Sequence, residues 1–287
     1  MTTNEDKSNQ IGVYDFMKRS SGELKRFARE LLQGRFGVPM IAVLIFYFVP
    51  NLLLLPFQLL YQTDQGPLQS TLLFAVSLII TLIASLLAVG MLHLHLSLAR
   101  GGSCQISDIL WAFSHAPLKF FWASIRIALI ILSCGIPFFA VIALSTVLHS
   151  TSALSSLSYG IWMGFSILAY LILSLFLTMR YALVFFLLID APAAAVQDAF
   201  LESRRLMKGN IGRYFYLTMS FLGWNVLALL TCGIGYLWVY PYMLQTYTNF
   251  YLDVNGELDR HFTAQNRFSQ PPNANIPAET PPSFDDR

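Results

Sequence analysis

Long apolar runs separated by short polar segments occupy most of residues 36–252 in this chain of 287 residues. A helix needs roughly 20 apolar residues to cross the hydrocarbon core of a bilayer. The runs meet or exceed that length, and the last one is interrupted at residues 231–235. The pattern predicts an all-α, polytopic membrane protein with about six transmembrane helices. The predicted spans are Phe36–Tyr61, Leu68–Ala99, Leu118–Leu148, Leu157–Ile189, Tyr214–Cys232 and Ile234–Leu252. A re-entrant segment is the alternative for the last run, which is rich in Tyr and Trp, residues that favour the membrane interface.

Three polar segments place apolar residues three and four positions apart, the spacing of an amphipathic helix. They cover residues 22–34, 106–113 and 195–207, and each precedes two spans joined by a turn without Lys or Arg. A basic amphipathic helix that leads into a span is expected to lie in the membrane interface. We therefore predict three repeats, at about 22–100, 106–190 and 194–253, each an interfacial amphipathic helix followed by a transmembrane hairpin.

Two glycine patterns have predicted structural roles. Residues 29–37 and 204–212 share the pattern Arg-x-Leu-apolar-x-Gly-x-x-Gly. Gly34 and Gly209 are candidates to end the surface helices, because glycine adopts positive φ without steric cost. The second pattern is the GxxxG spacing of Gly160 and Gly164, which predicts close helix packing.

Charge is scarce, at 12% of residues, and unevenly placed, whereas the net charge is only +2. Nearly all Lys and Arg precede the first span or lie in every second connection, around residues 100–119 and 190–213. This positive-inside pattern predicts a multi-pass membrane protein with both termini in the cytoplasm. We expect a flexible N-terminus at 1–21, one membrane domain at 22–254, and a proline-rich disordered tail at 255–287.

Ionisable residues inside predicted spans are the usual place to seek function in a membrane protein. The spans contain His93, His95, Arg126 and Arg180, all in the half nearer the basic segments, and no Asp or Glu. The favoured interpretation is that the arginines extend toward the head groups; the alternative is a basic vestibule for an anionic substrate. The candidate contacts to anionic lipid or substrate are Arg126, Arg180, His93, Arg204, Arg205 and Lys208.

No catalytic, cofactor or metal site is predicted. His93 and His95 are two positions apart on a helix and point in nearly opposite directions, so they cannot share an ion. The three cysteines are expected at different depths and are interpreted as unpaired packing residues. A nucleic-acid role is disfavoured, because the basic segment at 19–35 has an apolar face that must be buried.

The chain resembles a bacterial integral-membrane family, the domain of unknown function 975, densely over residues 198–253 and more loosely from about 25 to 190. The resemblance depends on residues 202–209 (Glu-Ser-Arg-Arg-Leu-Met-Lys-Gly), 220–224 (Ser-Phe-Leu-Gly-Trp), 233–242 (Gly-Ile-Gly-Tyr-Leu-Trp-Val-Tyr-Pro-Tyr) and 249–251. Ile211 departs from the pattern, in which an aromatic residue often follows the Lys-Gly pair. The chain is also distantly similar to the membrane domain of glycerophosphodiester phosphodiesterases. The resemblance implies an all-helical fold in the bacterial inner (cytoplasmic) membrane and no established activity.

Three classes of function remain after these observations. The first is a non-enzymatic protein that acts at the cytoplasmic lipid interface, in membrane organisation, sensing or assembly, with the bilayer and its anionic head groups as partners. The second is a transporter or permease for a lipid or small anion, since carriers often bind substrate between repeats. The third, an enzyme, is disfavoured because the sequence shows no nucleophile–base or metal set.

Overall fold

The computed structural model describes residues 18–60, 66–151 and 155–258. Most of the predicted N-terminus (1–21) and tail (255–287), and parts of the predicted turns at 62–67 and 149–156, lie outside these residues. Residues 255–258, predicted to belong to the tail, pack against the domain. Leu258 is 7% exposed, and Glu257 pairs with Arg100, so the domain extends at least to residue 258.

The described residues form helices and contain no strand. The fold is therefore all-α, as predicted. The helices in chain order are α1 Ser21–Leu32, α2 Gly37–Leu60, α3 Pro67–Ala99, a 3₁₀ helix Ile106–Leu110, α4 Trp111–Ser114, α5 Pro117–Ser150, α6 Ser156–Arg180, α7 Val184–Asp190, α8 Val196–Met207, α9 Ile211–Met219, α10 Leu222–Leu230 and α11 Tyr236–Val254.

Four helical stretches within the described residues are long and apolar enough to cross a membrane. They are Gly37–Leu59, Leu68–Ala99, Pro117–Ser150 and Ser156–Asp190, with a mean hydropathy of 2.3 to 2.8. Their bounds lie close to those of the first four predicted spans. Only 6% of the most apolar window of Pro117–Ser150 is buried inside the protein, so its apolar surface needs a lipid environment. These features are those of a membrane protein.

The fifth predicted span, Tyr214–Cys232, is not one continuous helix. It begins earlier, at Ile211, and breaks between α9 and α10 at Ser220 and Phe221. The Nζ of Lys25 on α1 donates to the carbonyl oxygen of Ser220 at 3.1 Å, and Phe221 is fully buried. A break in a helix frees backbone carbonyls, which need such partners where water is excluded. The break could not be predicted, since its partner lies 195 positions away.

Helix α11 packs against α1, α2 and α3 and carries the interior polar groups of the fold. Gln245 and Asn249 are fully buried, and the Oε1 of Gln245 lies 2.9 Å from the Nδ1 of His95 on α3. The amide of Asn249 donates to the carbonyl oxygen of Leu24 at 3.2 Å. Buried polar groups cost free energy unless they are hydrogen-bonded, so these contacts fix the register of α11 against α1 and α3.

The ends of several helices meet at one end of the molecule, called the basic end below. Arg100 follows α3 and contacts Asp190, the last residue of α7, and Glu257 beyond α11. Lys119, in the first turn of α5, donates to backbone carbonyls in the loop before α8. These contacts bring the 106–114 segment and the start of α8 to this end, and the hydrogen bond from Arg213 to the carbonyl oxygen of Arg19 places the start of α1 beside Asp253, near the end of α11.

The apolar faces of α1 and α8 are covered by the protein itself. On α1 the buried residues are Leu24, Phe27, Ala28 and Leu32, and on α8 they are Ala199, Phe200, Ser203 and Met207. Ser20 and Glu23 form a capping box at the start of α1, which satisfies backbone N–H groups there. Helices α11 and α7 pack on these two faces, so the faces are not open to lipid.

The 106–114 segment is a 3₁₀ helix followed by one α-helical turn, and its apolar side chains are divided. Ile109 in the 3₁₀ helix and Ala112 in α4 are buried. The other predicted apolar-face residues, Ile106, Leu110 and Phe113, are exposed. A Cβ added to Gly90 on α3 would lie 1.8 Å from the carbonyl oxygen of Ile109, so the segment packs directly on the α3 backbone.

The predicted glycine turns are present, whereas the predicted close packing at the GxxxG pair is absent from the described fold. Gly34 and Gly209 have φ of +75° and +83°, and each lies two positions after the last residue of its helix, α1 or α8. A Cβ added to Gly160 or Gly164 would meet no described atom within 4 Å, so the GxxxG pair does not form a close contact within the described fold. The close backbone approaches are at Gly90 and Gly235, where an added Cβ would lie 2.7 Å from the Cα of Ala228.

Candidate functional site

A small pocket lies between α5, α8 and the residue that follows α6, at the basic end. Its volume is about 190 Å³, and it contains two arginines and one amide side chain. We call it the Arg126 pocket. It is lined by Arg126, Ile130, Tyr181, Gln197, Phe200, Leu201 and Arg204.

Arg126 is a residue of α5 and lines this pocket. It lies nine positions after Pro117, the first residue of the helix, which is about 14 Å along the axis. Its guanidinium carbon is 4.8 Å from the ring centroid of Phe200, a buried residue of α8. The cation–π attraction holds the guanidinium in place but leaves its positive charge uncompensated.

Arg204 supplies the second positive charge. It lies four positions after Phe200 on α8, so the two side chains share one helix face, and Arg204 is exposed. Neither Arg126 nor Arg204 forms an ion pair with any residue in the described ranges. The pocket therefore presents two cationic side chains, with the neutral amide of Gln197 beside them, and can bind an anion.

An apolar groove adjoins the pocket and shares Arg126 with it. We call it the Trp122 groove; its volume is about 430 Å³ and it is lined by Leu118, Lys119, Trp122, Ile125, Arg126, Leu129 and Val196. Trp122, Ile125, Arg126 and Leu129 follow the spacing of one face of α5. Trp122 is 64% exposed and Leu129 is 58% exposed. Lys119 points elsewhere, since its Nζ donates to the carbonyl oxygens of Pro192 and Ala194.

Arg100 has the opposite electrostatic environment at the same end of the molecule. Its guanidinium donates to both carboxylate oxygens of Asp190 at 2.7 and 2.8 Å, and to both of Glu257 at 2.8 Å. The hydroxyl of Tyr251 donates to Asp190 at 2.6 Å. These four residues are called the Arg100 cluster. The hydrogen bonds to Asp190, then those to Glu257, raise the pKa of Arg100 above its ordinary value.

Arg213, in the first turn of α9, is also neutralised. It donates to the carboxylate of Asp253 at 2.6 Å and to the carbonyl oxygen of Arg19 at 2.6 Å. The Asp253 side chain is only 2% exposed. A carboxylate removed from water to this extent requires a charged partner, so this pair joins α9 to the end of α11.

Of the six predicted contact residues, the structure brings together only Arg126 and Arg204. Arg180 ends α6 and does not line the Arg126 pocket, although its neighbour Tyr181 does. Arg205 donates to Glu202 at 2.6 Å, and this hydrogen bond raises the pKa of Arg205. Lys208 is exposed beyond the end of α8.

The sixth predicted residue, His93, belongs to a different cluster. Its ring stacks on Trp111 at a centroid distance of 4.4 Å, and Trp111 in turn stacks on His115 at 4.5 Å. This stack joins α3 to the 106–114 segment. His95 contacts Gln245 instead, so the two histidines have different neighbours.

Two side chains that were not predicted complete the Arg126 pocket and the Trp122 groove. Trp122 and Phe200 each lie four positions before a predicted arginine, and this i, i+4 spacing on a helix was a signal for their association. No comparable signal connects Arg100 with Asp190 and Glu257, which are 90 and 157 positions away.

Residues 17–257 match the family described as Protein of unknown function (DUF975). The match covers well over half of the chain, so the chain belongs to this family, and the resemblance seen in its motifs is confirmed. No curated protein matches the chain. No solved structure matches it either. The distant likeness to the membrane domain of glycerophosphodiester phosphodiesterases stays a prediction.

The motifs that carry the family resemblance coincide with packing positions. Ser220 accepts the hydrogen bond from Lys25, and Phe221 lies under the same ammonium group at 4.2 Å. Gly235 permits close approach to α10, and Asn249 bonds the backbone of α1. Tyr251 belongs to the Arg100 cluster. These motif residues hold α1, α10 and α11 together. Among the residues that line the Arg126 pocket, only Arg204 belongs to a motif.

Proposed function

We propose that this protein is a non-enzymatic membrane protein that acts at the cytoplasmic lipid interface of the bacterial inner membrane, in membrane organisation, sensing or assembly. The observation that carries the proposal is the Arg126 pocket, where two arginines without a described carboxylate partner adjoin an exposed apolar groove. Basic side chains near the membrane surface attract anionic lipids, at about 1 kcal/mol each. The basic end of the molecule is then the cytoplasmic end.

The proposed topology has six spans in three repeats. The surface elements α1, the 3₁₀ helix and α8 begin at residues 21, 106 and 196, which are 85 and 90 positions apart, and two long helical stretches follow each. Residues 211–230 are about 30 Å long as a broken helix, enough for the fifth span. Helix α11 supplies the sixth, and its polar residues are tolerated because they are buried against protein.

The three surface elements contact the interface differently in this proposal. Helices α1 and α8 bury their apolar faces, so they offer basic outer faces to lipid head groups. The 106–114 segment exposes Ile106, Leu110 and Phe113, which can enter the upper part of the bilayer. Contact is thus electrostatic at α1 and α8, and apolar at the 106–114 segment.

The proposal is tested by the lipid composition around the whole protein. The full-length protein is incorporated into nanodiscs of equimolar phosphatidylglycerol and phosphatidylcholine, and the lipids that stay bound after detergent extraction are counted by native mass spectrometry. Selective retention of phosphatidylglycerol at low salt, reduced at high salt, is expected because salt screens exposed charges. Equal retention of both lipids would contradict the proposal. Orientation is tested by labelling Cys104 and Cys232 with an impermeant thiol reagent in spheroplasts; only Cys232 is expected to react.

A transporter or permease is the second candidate, and the cationic Arg126 pocket is the observation that favours it. It has less support, since Arg180 does not line the Arg126 pocket in the described part of the chain. Transport of fluorescent phosphatidylglycerol between the leaflets of proteoliposomes, followed by dithionite bleaching, separates the candidates. Bleaching faster than in protein-free vesicles would favour the permease.

A further inference from the structure

We propose that Arg126 and Arg204 bind the phosphate of a single anionic glycerophospholipid whose apolar portion lies in the Trp122 groove. This site rests on the proposed function and deepens it, because it names the ligand class and the residues that select it.

Charge is the first argument. The two guanidinium groups line a pocket of about 190 Å³, and neither is paired with a carboxylate in the described part of the chain. Arg is suited to phosphate because its planar fork of donors matches the phosphate oxygens. The stacking of Arg126 on Phe200 fixes its position before any ligand arrives, which reduces the entropy lost on binding.

The adjoining apolar surface is the second argument. Trp122, Ile125 and Leu129 form a stripe on the same face of α5 as Arg126, and they line a groove of about 430 Å³. A free phosphate or a small hydrophilic anion could not use this surface. A glycerophospholipid uses both parts, because its phosphate and its acyl chains are covalently joined.

Depth is the third argument. Helix α5 has 34 residues and is roughly 50 Å long, about 20 Å longer than the hydrocarbon core. Part of α5 therefore runs through the head-group layer. Its basic end, where Trp122 is exposed and Lys119 contacts the loop before α8, suits that layer, since Trp favours the interface. Arg126 lies one helical turn below Trp122, within reach of the phosphates.

The test compares the double variant Arg126→Gln/Arg204→Gln with Arg205→Gln. Arg205 is a matched control: it lies beside Arg204 on α8 and carries the same charge, but it is paired with Glu202. Each full-length protein is purified in detergent, delipidated, and titrated with dioleoyl phosphatidylglycerol or dioleoyl phosphatidylcholine under native mass spectrometry. We expect one tightly bound phosphatidylglycerol, weakened at least tenfold in the double variant and less than twofold in Arg205→Gln.

Two further arms keep the result interpretable. Arg204→Gln alone removes an exposed side chain and should weaken binding about tenfold without affecting folding, which the thermal unfolding midpoint checks. Inorganic phosphate, added at millimolar concentration, should not displace the lipid. Displacement by phosphate, or tight binding to phosphatidylcholine, would overturn the lipid assignment.

The outcomes also separate this site from the general proposal. If the wild-type protein prefers phosphatidylglycerol but the double variant retains it equally well, this site is wrong and the general proposal stands. If the wild-type protein shows no preference in nanodiscs, both are wrong.

Discussion

Arg100 and Arg126 are both at the basic end of the molecule, yet they differ in their electrostatic partners. Arg100 is surrounded by Asp190 and Glu257 in bidentate pairs, whereas Arg126 stacks on Phe200 and has no carboxylate partner in the described ranges. The first arginine joins the ends of α3, α7 and the segment beyond α11. The second contributes to the fold only through its contact with Phe200, and its charge in the pocket is available to a ligand. A basic residue near a membrane is therefore structural when carboxylates of the protein neutralise it, and it is available to a ligand when they do not.

The largest expected effect is on the Arg100 cluster. Arg100→Gln leaves the carboxylates of Asp190 and Glu257 facing each other without a counter-charge. We expect a loss of about 2–3 kcal/mol in the free energy of unfolding, between the values for exposed and buried ion pairs. Thermal unfolding in detergent, followed by Trp fluorescence, measures it, and phosphatidylglycerol retention at the Arg126 pocket should be unchanged. A loss below 0.5 kcal/mol, the range of an exposed pair, would show that the cluster is not structural.

The second prediction places a carboxylate in the Arg126 pocket, so that its arginines gain an acidic partner as Arg100 has in its cluster. Gln197→Glu places a carboxylate beside Arg126 and Arg204, so the lipid phosphate no longer meets uncompensated charge. We expect phosphatidylglycerol affinity to fall about tenfold, with stability unchanged or slightly increased. Gln33→Glu, an exposed change at the end of α1, is the control for net charge. Equal losses in both variants would mean that net charge, rather than the pocket, controls binding.

A smaller effect is expected inside the Arg100 cluster. Tyr251→Phe removes the hydrogen bond to Asp190 but keeps the ring, which stacks on Phe186 at a centroid distance of 4.9 Å. A hydrogen bond to a charged group contributes about 1.5–3 kcal/mol, and we expect the lower end of that range because Asp190 keeps its two bonds to Arg100. Thermal unfolding should show a decrease of that size. No decrease, or one as large as that of Arg100→Gln, would mean that Tyr251 has a different role.

Arg126→Gln tests the arginine that has no carboxylate partner in the described ranges. It removes the cation–π contact with Phe200, which is expected to contribute about 0.5–1 kcal/mol to stability. The same unfolding measurement should therefore show a much smaller loss than Arg100→Gln, while lipid retention falls. If Arg126→Gln destabilises the protein as strongly as Arg100→Gln does, Arg126 is structural as well.

The smallest effect concerns a charge that stabilises one helix end. Hydrogen bonding to the backbone N–H of Ser20, and then to its hydroxyl, lowers the pKa of Glu23 from its ordinary value of 4.5. A lowered folded-state pKa stabilises α1 above pH 4.5, and this stabilisation is lost as the pH falls through the folded-state value. Glu23→Gln should remove a few tenths of a kcal/mol above pH 5 and nothing near pH 2. Unfolding midpoints at both pH values measure this, and an equal change at both would contradict the assignment.

Much of the fold was predictable because local chemistry specifies it. The spans up to residue 190 follow from hydrophobic run length, the start of α1 from Ser20 and Glu23, and the turns after α1 and α8 from Gly34 and Gly209. The 106–114 segment was only partly predictable. Its apolar spacing suits an α-helix, but the structure has a 3₁₀ helix that packs on the α3 backbone at Gly90, and three apolar side chains are exposed.

The candidate site was predictable only as a set of arginines. The sequence indicated Arg126, Arg180 and Arg204 alike, because each is a cation near the same end of a span. The structure selects Arg126 and Arg204, which share a pocket, and excludes Arg180 from it.

By itself the sequence determined the helical class, the long apolar helices, the clustering of basic residues in alternate connections, and the family. These depend on hydrophobicity, capping and local spacing, which operate over one or two helical turns. Tertiary structure alone decided the break at Ser220, the burial of the α1 face, and which arginines are neutralised. For Ser220, the α1 face, Arg100 and Arg213, these properties depend on distances of about 3 Å between groups that are 40 to 225 positions apart along the chain, and linear spacing carries no information about such distances.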